Sequence, residues 1–236
     1  MESRLFEKAE YRIAGDNGLL VEFGEGIDPK VNAKVRAMAR ALEKNRLTGV
    51  REMIPTYRSL LFIYDPEVTN PDLLCNLIEI VENNLEKIDI KPFKIVEIPV
   101  CYANEFGPDI ENVQKTHGLT TEQVIHLHSK PEYLIYMVGF TPGFAFLGGL
   151  DEKLYTPRLA TPRMLVPEGS VGIANNQTGM YPIASPGGWQ LIGKTPLKLF
   201  APDRANPFLY KAGDKIKFKP ISKKEYDLIA QKEKSL

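Results

Sequence analysis

The residues best placed to do chemistry lie in two irregular stretches. The first, Gly139-Phe140-Thr141-Pro142-Gly143-Phe144-Ala145-Phe146-Leu147-Gly148-Gly149-Leu150, sets three phenylalanines among four glycines and one proline. Aromatic rings gain most from burial, whereas glycines serve special backbone angles or close approaches. Two readings fit: a buried loop crossing a barrel, or a pocket wall whose N–H groups hold a carboxylate or phosphate. The second stretch supplies Arg163, Pro167, Gly169, Ser170, Asn175, Asn176, Gln177, Thr178 and Tyr181, then Ser185-Pro186-Gly187-Gly188-Trp189. Amides and hydroxyls at that density suit an amide-containing ligand such as a lactam, and Arg163 can pair with a carboxylate through two parallel bonds. Turn chemistry for Asn, Gly and Ser, and a solvated surface charge for Arg163, are the competing explanations.

Two further patterns invite chemistry. Gly188 to Thr195 matches the phosphate-loop pattern G-x-x-x-x-G-K-T. A phosphate loop must open a helix whose N-terminus faces the anion, yet Pro196 follows, and then Leu197 to Phe200, which reads as a strand. The expectation is a turn between two barrel strands. His117, His126 and His128 show no metal-ligand spacing with Cys75 or Cys101, so no metal is expected. His128 is a candidate general base or, more simply, a structural histidine near a helix end. There is no G-x-S-x-G elbow and no C-x-x-C pair, so no catalytic residue is assigned, and the chain reads as one that completes an active site with a partner.

Positioning these residues requires two kinds of architecture. In the first part, Tyr11–Ile13 and Leu19–Phe23 read as extended runs around the turn Gly15-Asp16-Asn17-Gly18. Asp28-Pro29 starts a helix with an apolar stripe of Val31, Val35, Met38 and Leu42. Leu60–Tyr64 is a strand, Thr69-Asn70-Pro71 opens a second helix with Leu74, Leu77, Ile78, Val81 and Leu85 inward, and Lys94–Val100 is extended again. The order points to a small α+β sandwich with helices on one face of an antiparallel sheet. After about residue 100 the composition changes. Thr120-Thr121-Glu122-Gln123 caps a short helix to about His128, and Pro and Gly then punctuate short β-rich runs at 133–138, 170–174, 197–200 and 215–218. Ala212-Gly213-Asp214 reads as the turn into the last of these, and Ser222 to Leu236 as a short polar helix or a fraying tail. The fold expected is an α+β domain over residues 1–92 followed by an all-β barrel over 93–236.

Composition narrows the function. Lys+Arg and Asp+Glu are both 30, so the chain carries no basic excess for nucleic acid or an anionic membrane. No apolar stretch reaches the roughly 20 residues of a membrane span, and Met1 to Phe6 lacks the apolar core of a signal peptide. Two cysteines suit a reducing compartment, and the expected location is the cytoplasm.

The motifs also carry a resemblance. Tyr57-Arg58-Ser59-Leu60-Leu61, Ile98 to Tyr102, Glu105 to Asp109, Leu127-His128-Ser129, Gly139 to Leu150, Thr156-Pro157-Arg158, Pro162-Arg163, Val166 to Ile173, Gln177 to Pro182 and Ser185 to Thr195 are similar to the B subunit of 5-oxoprolinase and to KipI, a family formerly called allophanate hydrolase subunit 1. Ala145-Phe146 stands where that family often has Pro-Tyr, and Asn175-Asn176 where a Gly is common. The resemblance implies a cyclophilin-like barrel and companion C and A subunits of 5-oxoprolinase that together with it open 5-oxoproline to glutamate. It implies ATP as co-substrate, with magnesium, to phosphorylate the amide oxygen of a poor electrophile. Related domains serve a biotin-dependent carboxyl transfer in urea carboxylase. It also implies an alternative, inhibition of a sensor histidine kinase; a proline isomerase would rest on barrel analogy alone. The residues expected to line the binding pocket, chosen for polar and aromatic density, are Thr141, Gly143, Phe144, Arg163, Gln177, Tyr181, Ser185 and Trp189.

Overall fold

The computed structural model describes residues 3–45, 47–85, 94–102 and 105–234. The chain forms two compact units, Met1–Lys91 and Pro92–Leu236. The boundary expected between 92 and 93 lies outside the described residues, as do Met1, Glu2 and the last two residues of the tail.

The first unit contains β1 (Arg4–Ile13), β2 (Gly18–Glu25), α1 (Pro29–Asn45), β3 (Val50–Pro55), β4 (Ser59–Tyr64) and α2 (Pro71–Asn83). Its sheet runs β1-β2-β4-β3 with every neighbour antiparallel. Leu19, Val21 and Phe23 from β2 and Leu60, Phe62 and Tyr64 from β4 alternate into one core. Val31, Val35, Met38 and Leu42 of α1 and Leu74 and Ile78 of α2 close it. The helix starts are built as their residues demand. Asp28 Oδ1 accepts from Lys30 N at 2.7 Å, and Asn70 Oδ1 accepts from Leu73 N at 3.0 Å. Three expectations need correction. β1 is far longer than Tyr11–Ile13, Leu77 is 44% exposed rather than inward, and β3 has no counterpart among the expected elements. β3 is an edge strand with an irregular register between Val50 and Glu52, so it lacks the alternation that marks a strand facing a core.

The second unit contains β5 (Ile95–Val100), α3 (Ile110–His117), α4 (Thr121–Ser129), β6 (Tyr133–Val138), β7 (Ala145–Gly148), a 3-10 turn at Glu152–Leu154, β8 (Arg163–Val166), β9 (Ser170–Ala174), β10 (Gln177–Met180), β11 (Ser185–Gly187), β12 (Gln190–Lys194), β13 (Lys215–Pro220) and α5 (Lys223–Lys234). Seven strands form one sheet in the order β12-β9-β10-β7-β6-β13-β5, while β8 and β11 make a separate ribbon. The two ends of the large sheet meet. Cys101 N donates to Lys194 O and Lys194 N to Cys101 O, each at 2.9 Å, so the sheet is barrel-like and nearly closed. β5 belongs here, parallel to β13, and not to the first sheet.

The unit is mostly β, but the all-β expectation does not hold. Ile110 and Val113 of α3 and Val124 of α4 sit in the barrel's core beside Ile98, Tyr133, Ile135, Val171, Ile173, Met180 and Phe218. The capping box at Thr120 and Gln123 is present. The strand expected at 197–200 is absent. Leu197 N donates to Thr195 Oγ1 and Lys198 N to Glu233 Oε2, leaving only a single bridge between Phe200 and Phe208.

Candidate functional site

The strands of the barrel have two faces. Ala145, Leu147, Val171, Ile173 and Met180 point into the main core. The opposite face carries a second apolar cluster of Phe144, Val166, Ala174, Tyr181, Trp189 and Leu191, with Phe146 packed against it. Trp189 can lie on the sheet because Gly172 and Gly179 lie beneath it. A Cβ at 179 would come within 3.1 Å of Trp189 Cζ3, and one at 172 within 3.2 Å of Trp189 Cβ. Phe144 meets both Tyr181 and Trp189 edge-to-face with centroids 5.6 Å apart, the arrangement ring quadrupoles favour. The β8/β11 ribbon contributes Val166 to this cluster, with Ser185 paired across from it and Gly187 across from Arg163. A Cβ at 187 would collide with the Tyr181 hydroxyl, so glycine is required there.

The charged groups of the site are ordered by Asp109. Its Oδ1 accepts from Arg163 Nη2 at 2.6 Å and its Oδ2 from Leu191 N at 2.7 Å. Arg163 Nη1 also donates to Trp189 O at 3.4 Å. The carboxylate that Arg163 pairs with is thus one of the chain's own. Burial pushes the Tyr181 phenol up, while Arg158, the Trp189 backbone N–H and Arg163 pull it down. Ser185 Oγ is buried and carries no hydrogen bond among the described residues.

Thr141 and Gly143 lie elsewhere, at the β6–β7 turn. They line a pocket of about 440 Å³ with Val138, Phe208, Tyr210 and Lys211. Gly143 has φ +84°, and Tyr210 Oη donates to its carbonyl at 2.8 Å. Phe140 takes φ +72° while 73% exposed, a conformation unfavourable for a bulky residue. Of the glycine-rich stretch, Ala145–Gly148 is strand β7, while Gly139–Phe144 before it and Gly149-Leu150 after it are loop. Gln177 shares the Gly179 face of β10 at the far end of that strand. The structure thus brings Phe144, Arg163, Tyr181, Ser185 and Trp189 together, places Gln177 along the same face, and puts Thr141 and Gly143 in a separate pocket.

His128 is fully buried. Its Nδ1 lies 2.8 Å from Tyr102 Oη and its Nε2 2.8 Å from Thr178 Oγ1. Thr178 has one hydroxyl hydrogen and donates it to Gly172 O at 3.0 Å. Nε2 must therefore carry the imidazole proton, and Nδ1 accepts from Tyr102. Burial holds its pKa down at about 3. The ring stacks on Phe218 with centroids 4.5 Å apart, so His128 is a structural residue and not a general base. The phosphate-loop match is also resolved. Gln190–Lys194 is strand β12 itself, neither an anion loop nor a turn, and the Lys194 and Thr195 amides bond Cys101 O and Gly169 O. Among the described residues no three of His, Cys, Asp and Glu gather to hold a metal, and no helix is long and apolar enough to cross a membrane.

Residues 9–210 match a family model described as carboxyltransferase domain, subdomains C and D. The B subunit of the Bacillus subtilis 5-oxoprolinase is 46% identical over 94% of this chain and 95% of its own length, and that of Escherichia coli O157:H7 39% identical over 91% and 97%. The chain belongs to the 5-oxoprolinase B-subunit family. Among solved structures, TTHA0988 is 37% identical with a TM-score of 0.78 over 87% of this chain. The chain spans 40% of that protein's length. The urea carboxylase of Kluyveromyces lactis is 20% identical with a TM-score of 0.78 over 98% of this chain and 24% of its own, a likeness of fold.

In this member of the 5-oxoprolinase family, the residue that sequence reasoning missed is Asp109. It lies inside a motif that carries the family resemblance, yet at the entry to a helix an Asp reads as a cap. The signal present in the sequence is the unusual run Gly107-Pro108-Asp109, where a glycine and a proline fix the approach of one carboxylate. Gly107 lies directly against the Ile192 backbone, and Asp109 N bonds Leu191 O at 2.9 Å.

Proposed function

We propose that this chain is the B subunit of an ATP-dependent 5-oxoprolinase, working in a complex with the C and A subunits to hydrolyse 5-oxoproline to glutamate. The observation that carries this reading is the 46% identity to the Bacillus subtilis protein along nearly the full length of both chains. ATP enters as a co-substrate with magnesium. A lactam carbonyl is a poor electrophile, and phosphorylation of its oxygen prepares the ring for opening by water. The relatives carry the enzyme subunit's name, which favours this reading over inhibition of a histidine kinase.

The Tyr181 cluster supports the substrate end of this reading. It offers hydroxyls and aromatic rings, with the Arg163 guanidinium turned inward to Asp109, rather than a nucleophile with its base. Such a surface fits an active site completed by a companion chain. Phe144, Arg163, Tyr181, Ser185 and Trp189, flanked by Gln177, form the group assigned to substrate. Thr141 and Gly143 belong to the neighbouring aromatic-lined pocket. The barrel is assigned to the cyclophilin-like type by family resemblance, and the free Cys75 and Cys101 suit a reducing cytoplasm.

The test is co-expression of this chain with its C and A subunits and measurement of 5-oxoproline-dependent ATP hydrolysis, omitting each component in turn. Activity is expected only from the full set. A well-folded full complex without activity would overturn the assignment. In the active complex, Gln177→Ala is expected to lower turnover about tenfold, the worth of one hydrogen bond to the ligand; turnover within twofold of wild type removes Gln177 from the site.

A further inference from the structure

Two open cavities of the second unit adjoin. The first, of about 440 Å³, has Val138, Phe140, Pro142, Phe208 and Tyr210 among its walls, with Lys211 at one side. The second, of about 700 Å³, adds Lys94, Asn206 and Asp214. Phe208, Tyr210 and Lys211 line both, so the two form one groove, aromatic at one end and cationic at the other. Its size is that of a drug-sized ligand.

The groove is held in shape by its own hydrogen bonds. Tyr210 Oη donates to Gly143 O at 2.8 Å and ties one wall to the other. Lys94 Nζ donates to Leu209 O at 2.8 Å, and an ammonium has two further protons to give. Lys211 opens a tight turn. Its N donates to Asp214 Oδ2 and Asp214 N donates to Lys211 O, each at 3.1 Å, while Gly213 takes φ +93°. Gly213 N and Ile135 N donate to Ile135 O and Asp214 O at 2.8 and 2.9 Å, which fixes the turn to β6. Asp214 is the only acid among the residues named for either cavity, and it is fully buried with its Oδ2 on the turn. The groups exposed along the cationic end are therefore Lys94, Lys211 and the Asn206 amide.

The aromatic end carries a second, independent observation. Phe208 is exposed, stacks on Phe200 with centroids 5.2 Å apart and lines the groove as well. Phe140 is exposed too, in the left-handed conformation described above. A bulky residue held there, with its ring in water at a cavity rim, is unfavourable in the empty protein and is the kind of strain found at ligand clamps. An inorganic anion would leave both rings unused, and an apolar ligand would leave both ammonium groups unused. A planar base with a phosphate tail uses all four.

We propose that this groove binds a nucleoside triphosphate, its base against Phe140 and Phe208 and its phosphates on Lys94 and Lys211. The choice of ATP among such ligands rests on the oxoprolinase reading. Phe140 also meets Phe144 edge-to-face with centroids 5.8 Å apart, so a base in the groove borders the aromatic cluster assigned to substrate.

The full chain is titrated in a calorimeter with ATP, adenosine and tripolyphosphate. ATP is expected to bind saturably, and each half-ligand about tenfold or more weaker. Lys94→Gln/Lys211→Gln is expected to weaken ATP and tripolyphosphate by about tenfold and to leave adenosine unchanged. Phe208→Leu is expected to weaken ATP and adenosine by a similar factor and to leave tripolyphosphate unchanged. Native Trp189 emission establishes that each variant is folded. Tripolyphosphate binding as tightly as ATP shows an anion site without a base and overturns the proposal, as does ATP affinity that survives in the double lysine variant. In the reconstituted complex that variant should raise KM for ATP about tenfold and leave KM for 5-oxoproline unchanged. An active complex whose KM for ATP does not move overturns the groove and leaves the proposed function standing. An inactive wild-type complex strikes the proposed function instead, and the titration of the chain then decides the groove. No ATP binding by the chain and no change of KM in the complex together reject it.

Discussion

Asp109 stands where a helix-capping residue belongs, at the entry to α3, and its side chain makes no cap. Its two oxygens go to Arg163 and to the Leu191 amide, which ties the helix entry to β8 and β12. Asp109→Asn keeps the shape and loses the charge. We expect it to lower unfolding free energy by about 1.5–3 kcal/mol, the range for hydrogen bonds to a charged partner, read from a urea titration; a midpoint equal to wild type would show that the clamp does not hold the site. His128 makes a second prediction. Its folded pKa of about 3 lies below the unfolded value near 6.5. The unfolded chain therefore binds the extra proton between those values. Stability from this residue is complete above pH 6.5 and falls as pH drops toward 3, by at most about 1.4 kcal/mol per pH unit. Urea midpoints between pH 7 and 4.5 should fall more steeply in wild type than in His128→Asn, and parallel slopes would refute the account. Residue types alone pointed to burial for Phe144, Tyr181 and Trp189, since large rings among glycines must pack, and all three are buried in one cluster. They did not show which carboxylate Arg163 meets, because that pairing joins positions 109 and 163 through the barrel.

Elements were legible where local chemistry decides them. α1, α2 and α4 announce themselves by Asp28-Pro29, Asn70-Pro71 and the Thr120/Gln123 box, and each of these side chains makes its cap. Asn70→Ala should cost about 1 kcal/mol, seen as a lower thermal midpoint; no shift would mean the Leu73 amide finds another acceptor. Elements were illegible where a tertiary partner decides them. The Leu197–Phe200 run has strand-forming residues but pairs only at the Phe200–Phe208 bridge, since the Leu197 and Lys198 amides are taken by Thr195 and Glu233. β3 has little local signal yet forms because β4 offers its edge. Close backbone approaches have a sharper test. A Cβ at Gly107 would overlap the Ile192 carbonyl, so Gly107→Ala must push α3's entry off β12. A loss of about 3 kcal/mol is expected, at the upper end for overpacking, and Trp189 emission should shift with it. A variant as stable as wild type would mean the loop moves freely.

At the scale of the whole molecule, the change in composition near residue 100 did mark a change in architecture, because Gly and Pro every few residues leave room only for short strands. The helices that enter the barrel's core were the part hidden by that pattern. Each unit has its own core, and among the described residues none is shared between them. Phe62→Ala should therefore cost about 3–5 kcal/mol in the first unit, measured by far-ultraviolet circular dichroism, while native Trp189 emission stays at its wild-type maximum. The order of strands in the second unit has a consequence for how the protein is made. β5 is the first strand of the unit to leave the ribosome and its partner β13 the last, and the bridge from Cys101 waits for Lys194. A nascent chain therefore holds Ile98 and Val100 without a neighbouring strand until residues 215–220 emerge. A ribosome stalled before that point would present an open sheet with unpaired rims, the form most prone to stick to other chains. Slow translation between β5 and β13 would lengthen that exposure, and a chaperone that shields β5 would raise the yield of closed barrel.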